Sequence, residues 1–146
     1  MKRQLISLVG LLALSFNSVG EEDFSVNITV SGASPNQGSA ILSLFDSSSD
    51  HLRKPLMSLR QEVDENGKVQ FQLSGMENHF YSVSVFYDKD GNGQLSTGFA
   101  GVPIEPIGFS NNAKGQSGPP SFNQAKFNPV LSRDLEIKLS SVLSET

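Results

Sequence analysis

Apolar and polar residues alternate with a period of two along most of this chain. Phe24, Val26, Ile28 and Val30 alternate with Ser25, Asn27 and Thr29, the pattern of a strand with one buried face. Ser31-Gly32 ends that run, and Pro35-Asn36-Gln37-Gly38 reads as a turn. Ala40 to Phe45 is apolar apart from Ser43, which predicts a strand covered on both faces. Asp46 to Asp50 is a polar loop. Met57, Leu59 and Val63 alternate with polar neighbours, with Gln61 out of pattern. Glu65-Asn66-Gly67 then predicts a hairpin turn into Val69, Phe71 and Leu73, because Asn-Gly tolerates positive φ at both central positions.

The strongest strand signal runs from Phe80 to Tyr87. Tyr81, Val83, Val85 and Tyr87 share one face, with Phe80, Ser82, Ser84 and Phe86 on the other. Leu135, Ile137 and Leu139 alternate with charged residues and predict the last strand. No amphipathic helix pattern stands out. The expectation is an all-β fold, an antiparallel two-sheet, Ig-like sandwich of about seven strands.

Between Thr97 and Asn128 the alternation fails. Pro103, Pro106, Pro119 and Pro120 punctuate this stretch, with Gly98, Gly101, Gly108, Gly115 and Gly118. It also carries Phe99, Ile104, Ile107, Phe109, Phe122 and Phe127, whereas a disordered linker is poor in aromatics. The reading is one long, ordered, Gly/Pro-rich loop. Its polar middle, Ser110 to Gly115, either faces a ligand or covers an open sheet edge.

The first twenty residues differ from the rest. Met1-Lys2-Arg3 is basic, Leu5 to Phe16 is apolar apart from Ser7 and Gly10, and Ser18-Val19-Gly20 supplies small residues. That is the three-part pattern of a secretory signal peptide, 1–20. The apolar run is too short for a spanning helix, which needs about 20 residues. Residues 21–146 then form a single domain, exported to the periplasm or the extracellular space. Removing Lys2 and Arg3 leaves 9 basic residues against 15 acidic ones, so the formal charge moves from −4 to −6. This balance argues against nucleic acid as a partner. With no Cys, disulfides, thiolate metal sites and cysteine nucleophiles are excluded.

The concentrated chemistry lies after the strongest strand, in Asp88-Lys89-Asp90-Gly91-Asn92-Gly93-Gln94-Leu95-Ser96. Ca²⁺ takes about six to eight oxygen ligands, and a tightly turned loop supplies most of them. Asp88, Asp90 and Asn92 fall at the first, third and fifth positions of such a loop, and Gly93 at the bend. Gln94 would offer its backbone carbonyl, and Ser96 would bind directly or through water. Leu95 is expected to anchor the loop in the core. The twelfth position is Phe99 rather than Glu, so closure must come from elsewhere, and Glu105 is the best placed. Few carboxylates imply weak Ca²⁺ binding, about 10⁻⁴–10⁻³ M. The competing reading is a plain hairpin tip, since Asp-Gly-Asn-Gly is strong turn chemistry.

Three blocks together resemble a known family: Tyr81 to Leu95, Gly101 to Ala113, and Gly118-Pro119-Pro120-Ser121-Phe122 with Ala125. The family is domain of unknown function 2141, small exported bacterial proteins. The resemblance implies a secreted β-sandwich of prealbumin-like type and no assigned reaction. Two positions depart from the family pattern. Tyr87 stands where a His is usual, which removes an imidazole role. Ser96 stands where an Asp is usual, which removes a charge from any metal site.

The two histidines, His51 and His79, lie in polar loops and are expected to face solvent. No nucleophile-elbow pattern supports a Ser–His–Asp triad, and two His without metal-ligand spacing make no zinc site. The functional expectation is a non-catalytic binding or structural module of the bacterial envelope, with a protein or glycan ligand and a Ca²⁺-binding loop. The alternative is a small extracytoplasmic hydrolase using Asp88, Asp90 and Glu105.

Overall fold

The computed structural model describes residues 22–142; the signal-peptide reading of 1–20 lies outside them. Seven strands build two sheets: β1 (Phe24–Ser31), β2 (Ser39–Phe45), β3 (Met57–Glu62), β4 (Val69–Met76), β5 (Ser82–Asp88), β6 (Ile107–Phe109) and β7 (Asp134–Lys138). One sheet has the order β4-β1-β7 and the other β3-β2-β5-β6. Alternation decides what each sheet buries. Val26, Ile28 and Val30 of β1, with Val69, Phe71 and Leu73 of β4, meet Ala40, Leu42 and Leu44 of β2 and Val83 and Val85 of β5 in one core. Each of these side chains is withdrawn from water, the main favourable term in folding. Among the described residues, no helix is long and apolar enough to cross a membrane.

The pairing is antiparallel except between β1 and β7, which run parallel with Ile28 opposite Leu135. The turn at 65–67 corrects the hairpin expectation. It is tight, with the Asp64 carboxylate accepting the N–H groups of Asn66 and Lys68 at 2.8 and 2.9 Å. Yet β3 pairs with β2 and β4 with β1, so the turn carries the chain from one sheet to the other. Gly67 fits this corner at φ 72°, where a Cβ would lie 2.4 Å from the Ala33 carbonyl oxygen. Alternation tells which residues face a core; it does not tell which strand lies alongside.

The 107–127 part of the Gly/Pro-rich stretch is an edge cover. β6 pairs with β5, and the isolated bridges Tyr81–Phe127 and Ile107–Ser140 continue that cover on either side. Between them the Ser110 hydroxyl accepts from Val83 N at 2.9 Å and donates to the Ala125 carbonyl at 2.6 Å. A four-residue helix, α1 (Phe122–Ala125), is held by a capping box between Ser121 and Gln124. The open side of β5 is thereby paired rather than left as a sticky edge.

Candidate metal centre

β5 ends on Asp88, and alternation places its side chain on the outer face with Ser82, Ser84 and Phe86. It is nevertheless 0% exposed, because the chain beyond it folds back. Gly93, at φ 76°, donates its N–H to Asp88 Oδ2 at 2.8 Å. Asp90 Oδ1 accepts from Asn92 N at 3.2 Å, and Asn92 Oδ1 accepts from Gln94 N at 2.9 Å. These side-chain turns are what Asp and Asn do in loops.

A narrow finger follows, from Ser96 to Glu105. Ile104 N donates to the Ser96 carbonyl at 3.0 Å and Gly98 N to the Val102 carbonyl at 2.8 Å. Phe99, at its tip, is 98% exposed. The returning strand brings in Glu105, which is buried, and whose Oε2 accepts from Ser96 N at 3.0 Å. Asp88, Asp90 and Glu105 thus each present one carboxylate oxygen, all within 4.8 Å of one another.

Three carboxylates so close repel one another. Arg60, on β3, stands against this, with Nη2 3.7 Å from Asp88 Oδ2 while its Nε donates to Ser39 Oγ at 3.2 Å. Burial by itself would raise the Asp88 carboxyl. The Gly93 N–H, the Arg60 charge and the Asn92 N–H outweigh it, and the carboxyl is held below the usual range. Asp88 therefore stays ionised in the fold. Its Oδ1 is buried without a hydrogen-bond partner, the one such side-chain atom among the described residues. Leaving a buried acceptor unpaired costs about 1–3 kcal/mol, and more when it is charged.

The structure brings together Asp88, Asp90 and Glu105 of the six predicted ligands. Asn92 and Ser96 lie in the same loop and meet each other, Asn92 Nδ2 donating to Ser96 Oγ at 3.4 Å. Gln94 is exposed. Leu95, expected in the core, is 37% exposed; hydrogen bonds to Asp and Asn side chains hold the loop instead of an apolar anchor. Sequence reasoning missed Arg60, whose approach to Asp88 depends on strand order. It also missed Gln37, Lys89 and Ile104, which with Asp90, Ser96 and Glu105 line a shallow pocket of about 420 Å³ beside the cluster. Lys89 lay within the acidic motif and was the legible one.

The Tyr87 hydroxyl donates to the Gln37 carbonyl at 2.7 Å and fixes the pocket rim.

The expectation that His51 faces solvent is corrected. The ring is half-buried and packs edge-on against Phe45 and Phe122. Its Nδ1 lies 2.8 Å from Ser82 Oγ and its Nε2 2.9 Å from the Pro120 carbonyl. A carbonyl only accepts, so Nε2 carries a proton. Ser82 is 0% exposed and the second ring nitrogen meets backbone rather than a carboxylate, so this pair is packing, not a nucleophile with its base. His79 is exposed as expected.

The chain belongs to the family described as "Uncharacterized protein conserved in bacteria (DUF2141)", whose model matches residues 28–136. No curated protein and no solved structure matches it.

Proposed function

We propose that this family member is a non-catalytic β-sandwich module of the bacterial envelope, binding or structural in role, whose acidic loop binds Ca²⁺. Export rests on the basic, apolar and small-residue pattern of residues 1–20. The observation that carries the ion is Asp88: a fully buried, ionised carboxylate with an unpartnered oxygen, gathered with Asp90 and Glu105. A hard divalent cation satisfies that oxygen and removes the repulsion among the three carboxylates in one step. The donor set is all oxygen, which suits Ca²⁺ rather than a softer metal. Asn92 and the Gln94 carbonyl are close enough in the chain to add to the shell, directly or through water, and Ser96 borders it.

The bound ion fixes the base of the finger, since Glu105 is both a ligand and the acceptor for Ser96 N. A hydrolytic role would need a general acid with a raised pKa, and Asp88, held below the usual range, does not supply it.

Thermal unfolding in calcium and in chelator tests this. At calcium ten times the dissociation constant, binding adds about 1.4 kcal/mol, or about 5 °C in Tm for a domain of this size. Asp88→Ala with Asp90→Ala abolishes the rise. Superimposable wild-type curves in calcium and chelator would sink the reading.

A further inference from the structure

We infer that the calcium-loaded loop is the receptor for a sugar acid, a monocarboxylate that also carries hydroxyl groups, seated in the pocket of Gln37, Lys89, Ser96 and Ile104. This deepens the calcium reading and rests on it. The cluster supplies three carboxylate oxygens, against the about six to eight that Ca²⁺ takes. Two of the three carboxylates, Asp90 and Glu105, also line the pocket. An ion held by the three carboxylates would therefore be reachable from this pocket through Asp90 and Glu105.

Charge selects the ligand. Counted formally, Asp88, Asp90 and Glu105 against Arg60 and Lys89 leave one net negative charge at the unloaded site. A divalent cation turns that into one net positive charge. The loaded site attracts a monoanion and the unloaded one repels it.

The rest of the lining specifies more than a bare anion. The Ser96 hydroxyl accepts from Asn92 Nδ2 and keeps its own proton to donate. The Gln37 amide offers both a donor and an acceptor, on a turn fixed by the Tyr87 hydroxyl. Ile104, 49% exposed, provides an apolar wall. A sugar acid matches all of these: carboxylate to the ion and Lys89, ring hydroxyls to the ion, Gln37 and Ser96, and carbon face to Ile104. Small-molecule sites combine apolar walls with a small number of placed polar groups.

Amide chemical shifts of the labelled protein, followed during titration with glucuronate, give the test. The expected result is a saturable response at Lys89, Ser96 and Ile104 in calcium, with no response in chelator and none to glucose in calcium. Lys89→Met weakens glucuronate binding about tenfold, the effect of one close charge at an exposed site. A uronate trisaccharide run alongside identifies the source: tighter binding of the monomer points to a free sugar acid, and tighter binding of the trisaccharide to a polysaccharide. No response to any uronate in calcium overturns the inference, as does an equal response to glucose or an unchanged affinity in Lys89→Met. If calcium alone still raises Tm in the same sample, only this inference fails. If calcium has no effect on Tm, the calcium reading fails with it.

Discussion

Ser82 and Asp88 stand at the two ends of β5, on the same face, and both are 0% exposed. Around Ser82 the protein satisfies itself. Its hydroxyl meets His51, the other nitrogen of His51 meets the Pro120 carbonyl, and nearby Ser110 bonds Val83 and Ala125. Around Asp88 it does not. One carboxylate oxygen is held by Gly93, the other has no partner, and two further carboxylates crowd in. Polar groups in a sheet are buried only when something compensates them. At the first end the compensation is internal, so the cluster is a clasp. At the second one buried oxygen is left over beside two more carboxylates, and on the proposed reading an ion from outside supplies the compensation.

The largest expected effect lies at the clasp. His51→Ala removes the ring between Phe45 and Phe122 and strands the Ser82 hydroxyl and the Pro120 carbonyl. A loss of about 2–4 kcal/mol follows, from lost packing and unpaired polar groups. Urea unfolding measures it. The calcium-induced increment in Tm stays at its wild-type size, because the clasp and the site share no residue. A change of less than about 0.5 kcal/mol would equate His51 with an ordinary surface position and collapse the distinction.

Asp88→Asn gives the next largest effect and sharpens the other half. The amide keeps the side chain's shape and loses its charge. In calcium at ten times the dissociation constant the variant forfeits about 1.4 kcal/mol relative to wild type; in chelator the gap is smaller. Acid adds an independent readout. A carboxyl depressed by folding contributes stability above its unfolded pKa, about 3.9 for Asp. That contribution is lost as pH falls from there through the lower folded value. Asp88→Asn flattens this part of the acid limb. An identical acid limb in both proteins would mean that the Gly93 and Arg60 contacts do not hold the charge.

The two ends of β5 differed in how far they could be read in advance. Alternation at Tyr81, Val83, Val85 and Tyr87 placed the core face correctly, and all four are buried. The spacing of Asp88 and Asp90, with Glu105 best placed to close the loop, led to the three carboxylates that the structure gathers. That inference was local, between residues close in sequence. The clasp joins His51, Ser82, Ser110 and Pro120, which no local pattern connects. Arg60 reaches Asp88 only because β2 lies between β3 and β5. The sheet change at Asp64–Lys68 was hidden for the same reason. Local chemistry is written in spacing, while contacts between distant segments depend on which strands become neighbours.

The smallest expected effect is at the tip of the finger. Phe99 is 98% exposed, so replacing it removes almost no buried apolar surface. The finger is fixed at its base, where Ser96 N meets Glu105 and Ile104 N meets the Ser96 carbonyl. Phe99→Ser should therefore change stability by less than about 0.5 kcal/mol, equally in calcium and in chelator. Differential scanning calorimetry under both conditions measures the pair of values. A loss confined to the calcium condition would show that the ion orders the finger as far as its tip, and would extend the site about 10 Å beyond Glu105 at the rise of an extended strand. A matched null result places the boundary of any ion-dependent structure at Ser96 and Glu105, the base where Ser96 N meets Glu105.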